Sequence, residues 1–215
     1  AFVEQYQIMC IPGGFSYGDD VAAGRIFANQ LRSQLADVMH EFKNSDKLIL
    51  GICNGFQVLI KSGLLLEDDA QGDPPATLCW NNHGLYEDRW VTLQNSTDKC
   101  VFLRGIQQVY LPIAHAEGKF VMRDQQVADQ LESNQQLALR YVNSDGAPAD
   151  GFPENPNGAQ RNVAGVCDDS GRVFGLMPHP ERFLDGTQHP RWTREGLQQE
   201  GDGVAIFRNA VEYFA

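Results

Sequence analysis

Basic residues are scarce in this sequence: 17 lysines and arginines stand against 28 aspartates and glutamates, a net charge of -11 over 215 residues. Gripping a phosphate backbone needs a basic face, so nucleic acid is not an expected partner. Long apolar runs are missing too. The longest, Leu48 to Ile52, is far too short to span a bilayer, and the opening residues carry no basic-then-apolar leader pattern. Cysteine is sparse: five residues, an odd count, with no CxxC spacing. That argues against a disulfide framework and against a metal site, and it points to a reducing, cytoplasmic setting. Cys10, Cys79, Cys100 and Cys167 read as inert small apolar residues; Cys53 is the exception. No internal repeat, linker or second domain is visible. What remains is ordinary for a globular protein, 42% hydrophobic and 21% charged, and residues 1–215 fit one compact domain.

Along the chain, Tyr6 to Ile11 reads as a short buried strand stopped by Pro12-Gly13-Gly14. From Gly24 the apolar spacing turns helical, with Ile26, Phe27, Leu31, Leu35, Val38, Met39 and Phe42 on one face. Lys47 to Ile52 is another buried strand, and Asn54 to Lys61 a helix ended by Ser62-Gly63. Apolar strands alternating with helices predict an α/β fold, an open and mainly parallel sheet with flanking helices. In such sheets ligands collect beyond the carboxyl ends of the strands, where the Gly13-Gly14 and Cys53 turns lie. The second half changes character. Asp88–Leu93, Val109–Ala114, Lys119–Met122, Leu137–Tyr141 and Arg172–Met177 read as strands with turns between them. Residues 145–161 form a long loop, 188–203 an irregular stretch, and Val204 to Phe214 a closing helix with Ala205, Ile206, Ala210 and Val211 inward. The chain begins at Ala1, just before a core strand, so earlier strand–helix units are expected to be missing from this sequence.

The chemistry concentrates at Gly51-Ile52-Cys53-Asn54-Gly55. This is a nucleophile-elbow pattern with cysteine in the nucleophile position: a tight strand-to-helix turn whose flanking glycines relieve crowding. The helix amino terminus behind Cys53 should lower its thiol pKa, and the Asn54 N–H should point where an oxyanion forms. Such a nucleophile needs a histidine base brought close by the fold. Two pairs compete, His115-Ala116-Glu117 and His179-Pro180-Glu181, since residues two apart on an extended segment face alike. Prolines around His179 stiffen its backbone, which favours that pair modestly. His40, His83 and His189 have no such context. Gly14 in the Pro12-Gly13-Gly14 turn can offer a second oxyanion N–H. As a phosphate cradle that turn fails, for it lacks the Lys-Ser/Thr of a P-loop and the third glycine of a dinucleotide fingerprint.

With these residues in view the sequence resembles the class I (triad) glutamine amidotransferases, which have a flavodoxin-like fold. Within that family it is similar to the glutaminase components of phosphoribosylformylglycinamidine (FGAM) synthases. The marks are IPGGFSYGDDVAAGRIFAN (Ile11–Asn29), GICNGFQVL (Gly51–Leu59), PIAHAEG (Pro112–Gly118), NPNGAQRNVAG (Asn155–Gly165), MPHPER (Met177–Arg182) and IFRNA (Ile206–Ala210). The resemblance implies Cys53 as nucleophile, His179 as general acid/base and Glu181 as its orienter. It implies oxyanion N–H groups from Gly14 and Asn54, and Gln57 as a holder of the substrate L-glutamine. His115 and Glu117 are then expected near the partner interface or the glutamine pocket. The resemblance also implies a synthetase subunit or domain as partner, and leaves room for an auxiliary small subunit. ATP and Mg would belong to that synthetase, with no cofactor and no metal on this chain. The chain departs from the family at Ala116, where glycine is usual, and at His83, where serine is usual. Rival readings are another triad amidotransferase component, which the Phe15–Asp20 extension opposes; a cysteine-peptidase-like hydrolase, which Gln57 and the His-Pro-Glu spacing oppose; and an inactive binding module of the same fold.

Overall fold

A computed structural model describes residues 2–215; Ala1, where the sequence begins, lies outside the described residues. The elements in chain order are β1 (Ile8–Ile11), α1 (Arg25–Gln34), α2 (Ala36–Asn44), β2 (Leu48–Ile52), α3 (Asn54–Ser62), β3 (Ala76–Cys79), β4 (Glu87–Asn95), β5 (Gln108–His115), β6 (Lys119–Met122), α4 (Gln125–Ser133), β7 (Leu139–Val142), β8 (Val163–Cys167), β9 (Val173–Leu176), α5 (Trp192–Glu195) and α6 (Gly203–Glu212). Seven strands form one sheet in the order β1-β2-β9-β8-β7-β4-β5, and β3 and β6 pair apart from it.

The expected α/β layering is present. Parallel pairing runs through β1, β2 and β9, and α3 packs on all three, with α1 against α3. From β9 to β8, β7, β4 and β5 the pairing is antiparallel, in keeping with the turn-rich second half. The parallel strands are the ones that carry the site. β2 and β9 are buried along their whole length, which is why they read as unbroken apolar runs. Phe56 from α3 lies on Gly175 of β9, where a side chain would have no room, and stacks with Phe120 at 6.4 Å between ring centroids.

The structure corrects several local expectations. The helical stretch from Gly24 breaks at Leu35, whose backbone (φ -128°, ψ 13°) leaves the helix between α1 and α2. The break turns Leu35 outward, to 46% exposure. β1 stands at the sheet's edge among the described strands, so Tyr6 and Cys10 are exposed where burial was expected. Val211 also faces outward on α6. Strands β3 and β8 and helix α4 have no counterpart in the sequence reading. Helix α4 does carry a signal, an Asp124 side chain that accepts from the Val127 N–H as an N-cap. α3 ends as expected, at Gly63 in the left-handed conformation.

Candidate active site

β2 delivers Cys53 to the start of α3. Its backbone, φ 51° and ψ -105°, is one that a side-chain-bearing residue rarely adopts. Such a conformation costs roughly 1–3 kcal/mol and persists where the surroundings enforce it. The flanking glycines do so: a Cβ on Gly55 would run into the Ile11 carbonyl, and one on Gly51 would meet the Gly55 carbonyl oxygen at 2.7 Å. The elbow inferred from the spacing is therefore built by contact with β1 and α3. The Cys53 N–H donates to the Leu176 carbonyl at 2.8 Å, locking the turn to β9. Its Sγ faces the Ala114 carbonyl at 3.7 Å.

β9 brings in the second group. Three residues beyond its end, His179 donates its backbone N–H to the Pro112 carbonyl of β5 at 2.8 Å, and its ring is buried. Nδ1 lies 2.6 Å from Glu181 Oε1. Burial pushes the Glu181 carboxyl up, but the hydrogen bond and charge of His179, with help from Arg182, hold it below the usual carboxylate range. An ionised Glu181 can only accept, so Nδ1 carries the hydrogen, which leaves Nε2 as the ring nitrogen that can exchange a proton. Nε2 is buried and has no partner among the described residues. Gly13 closes the group: a Cβ there would stand 2.8 Å from His179 Cε1 and 3.4 Å from Cys53 Cβ. Glycine at 13 thus lets the Pro12-Gly13-Gly14 turn, the elbow and the imidazole share one corner.

These residues open on a cleft of about 300 Å³ lined by Gly14, Phe15, Asp19, Gln57, Ala114 to Glu117 and Arg182, with Trp80 and Tyr86. Larger hollows, of about 660 and 720 Å³, lie elsewhere; neither contains a cysteine, so size does not identify the site. Gln57 is buried and clamped on both sides: Oε1 accepts from Asn54 Nδ2 at 3.0 Å and Nε2 donates to the Glu117 carbonyl at 2.6 Å. One N–H and one lone pair of its amide remain free for a ligand. Ala116 keeps a negative φ, so the change from glycine strains nothing. Of the other histidines, His40 is exposed, His83 sits 3.4 Å from Glu87, and His189 accepts from the Arg191 N–H.

The thiol does not behave as the helix terminus led us to expect. Burial pushes Cys53 up to about 12, with the Asn54 N–H and Arg182 opposing it only in part. Desolvation outweighs the terminus dipole, so Cys53 rests as a neutral thiol turned toward Ala114. A base within reach would have to take its proton during reaction rather than before it.

The other His-x-Glu pair lies in the same cleft. His115 ends β5, is buried, and has no hydrogen-bond partner on either ring nitrogen among the described residues. Burial first, and then His179, lowers it to about 3. The unfolded chain takes up this proton near pH 6.5 and the folded chain only near 3, so acid favours unfolding between those values. His115→Gln should flatten the fall of urea-unfolding free energy across that window, by up to about 1.4 kcal/mol per pH unit. An unchanged slope would show that His115 is charged or solvated in the folded protein.

Among the described residues no group of three or more His, Cys, Asp or Glu stands where it could hold a metal ion, and no helix is long and apolar enough to cross a membrane.

Comparison with known proteins identifies the family. Residues 1–214 match the CobB/CobQ-like glutamine amidotransferase domain. The chain is 48% identical over 210 residues to the phosphoribosylformylglycinamidine synthase subunit PurQ of Dehalococcoides mccartyi, covering 97% of this chain and 80% of that protein. It is 45% identical over 221 residues to the same subunit of Methanococcus maripaludis, covering 97% and 81%. Its structure is similar to a chain in the PurLQS structure from Thermotoga maritima, with a TM-score of 0.72 and 31% identity over 98% of this chain and 81% of that one.

Proposed function

Because the chain belongs to the CobB/CobQ-like glutamine amidotransferase family, we propose that it is the glutaminase subunit of an FGAM synthase. It hydrolyses L-glutamine to glutamate and ammonia and supplies the ammonia to purine biosynthesis. The observation that carries the chemistry is the corner formed by Cys53 and His179 around Gly13, with Glu181 2.6 Å behind the ring. The names and coverage of the PurQ relatives support the synthase assignment over other triad amidotransferases.

In this mechanism glutamine enters the cleft and its side-chain carbonyl carbon meets Cys53 Sγ. His179 Nε2 takes the thiol proton as the C–S bond forms, which avoids a free thiolate in a site that disfavours one. The carbonyl oxygen becomes an oxyanion held by the N–H groups of Gly14 and Asn54. The proton then passes from Nε2 to the departing nitrogen, the C–N bond breaks, and ammonia leaves a glutamyl thioester on Cys53. His179 next deprotonates a water molecule, which attacks the thioester and releases glutamate and the thiol. Glu181 keeps the hydrogen on Nδ1 and stabilises the imidazolium at each transfer. Gln57 holds the substrate and the Glu117 backbone together.

The partner is the synthetase subunit or domain, with an auxiliary small subunit completing the assembly; ATP and Mg act on the synthetase, and the setting is the cytoplasm. Ammonia released into water would be protonated and lost as a nucleophile, so turnover should depend on the synthetase being docked. The chain assembled with its synthetase should release glutamate rapidly, and the isolated chain slowly. In both, 6-diazo-5-oxo-L-norleucine should add one mass increment, mapped by peptide mass spectrometry to Cys53. Label on another residue, or no glutamate release by the assembly, would refute the reading.

A further inference from the structure

The cleft carries a charged cluster that the steps above leave unused. Asp19 and Glu117 both line it, and Glu117 adds to the forces that raise the Asp19 carboxyl, after burial itself. One cation stands near: Lys61 Nζ lies 3.9 Å from Glu117 Oε2. Lys61 also donates to the Ala23 carbonyl and lines the neighbouring hollow rather than this cleft. Arg182 also lines the cleft but pairs with Glu181 at 3.8 Å, so Asp19 and Glu117 with one lysine leave a surplus negative charge at their end, and half-buried charge of that kind calls for a cationic partner.

The carboxylates are fixed relative to the nucleophile. Asn54, next to Cys53 in the chain, donates from Nδ2 to Asp19 Oδ1 at 2.9 Å and to Gln57 Oε1 at 3.0 Å. Gln57 in turn holds the Glu117 carbonyl at 2.6 Å, and the Glu117 carboxylate accepts the Ala23 N–H at 3.4 Å. An independent observation shows that the cleft is shaped for a polar occupant. His115 is more than nine-tenths buried and lines the same cleft, yet both of its ring nitrogens lack partners. Buried polar atoms are rarely left so.

We infer that Asp19 and Glu117 recognise the α-ammonium group of the substrate, at a span from Cys53 fixed through Asn54 and Gln57, and thereby select α-amino acid amides over plain amides. The inference rests on the glutaminase reading above. It is tested with the chain assembled with its synthetase, by comparing L-glutamine with glutaramate, which is glutamine without its amino group. Wild type should strongly prefer glutamine. Asp19→Asn should lower kcat/KM for glutamine roughly 10- to 100-fold, the size of one charged hydrogen bond, mainly through KM. Its kcat/KM for glutaramate should fall at least about tenfold less than that for glutamine, because that substrate makes no such contact. Glu117→Gln should act in the same direction, and it alone decides if Asp19→Asn does not fold. Equal losses on both amides, or no loss on either, would overturn the inference while leaving the glutaminase reading intact. Hydrolysis of neither amide by wild type would instead overturn the glutaminase reading, and the inference with it.

Discussion

Replacing Cys53 with alanine should abolish glutamine-dependent synthesis, with glutaminase kcat falling on the order of 10⁶-fold, as when a hydrolase loses its nucleophile. No other group in the cleft can take over. The four remaining cysteines do not line it, and what survives would be the contribution of the oxyanion donors and binding alone. Synthesis driven by added ammonium salt should be unaffected in the same assembly, because the synthetase site is untouched. That pairing of results separates a lost nucleophile from a misfolded subunit. Alanine also fits the space at position 53, where the original side chain is buried. Glutaminase activity within tenfold of wild type would show that the thiol is not the attacking group.

His179→Ala should be nearly as damaging, about 10⁴-fold or more in kcat, again with ammonium-driven synthesis retained. The size follows from the resting thiol. With Cys53 held up near 12, almost none of it is ionised at neutral pH, so chemistry waits on a base that can take the proton at the moment of attack. His179 is the histidine whose ring is oriented by a carboxylate 2.6 Å away. His115→Ala is the comparison: it lines the same cleft but has no such orienting group on its ring, so its loss should be far smaller. Equal losses at the two positions would mean that His179 is not the base.

Much of this was legible in the residues. Gly51-x-Cys53-x-Gly55 announces a turn that only glycine neighbours allow, and the Ile11 carbonyl and Leu59 are the obstacles that make it so. The apolar runs of β2 and β9 marked them as buried strands. Other features escaped for physical reasons. The choice between two His-x-Glu pairs depends on which ring meets a carboxylate, a matter of side-chain direction that spacing leaves open; the family resemblance pointed to His179, and the Nδ1–Glu181 contact agrees. The thiol pKa was misjudged because the helix terminus is visible in the sequence and the burial that outweighs it is not. Strand β8, Val163 to Cys167, is buried throughout like β2 and β9, but Ala164 and Gly165 interrupt its apolar run with residues of low strand propensity. Asp19 stood out only as part of the Phe15–Asp20 extension, with no role of its own. It reaches the cleft through a turn in which Tyr17, Asp19 and Val21 all take positive φ, a path that composition does not foretell.

Strand β9 has a temporal meaning. It sits between β2 and β8 and is the last of the nine described strands to leave the ribosome. Until it inserts, the two halves of the sheet have no seam, and the imidazole that follows it has nowhere to dock. On the proposed mechanism, a growing polypeptide that displays Cys53 but not yet His179 should not split glutamine. That competence requires pairing between segments more than a hundred residues apart in the sequence.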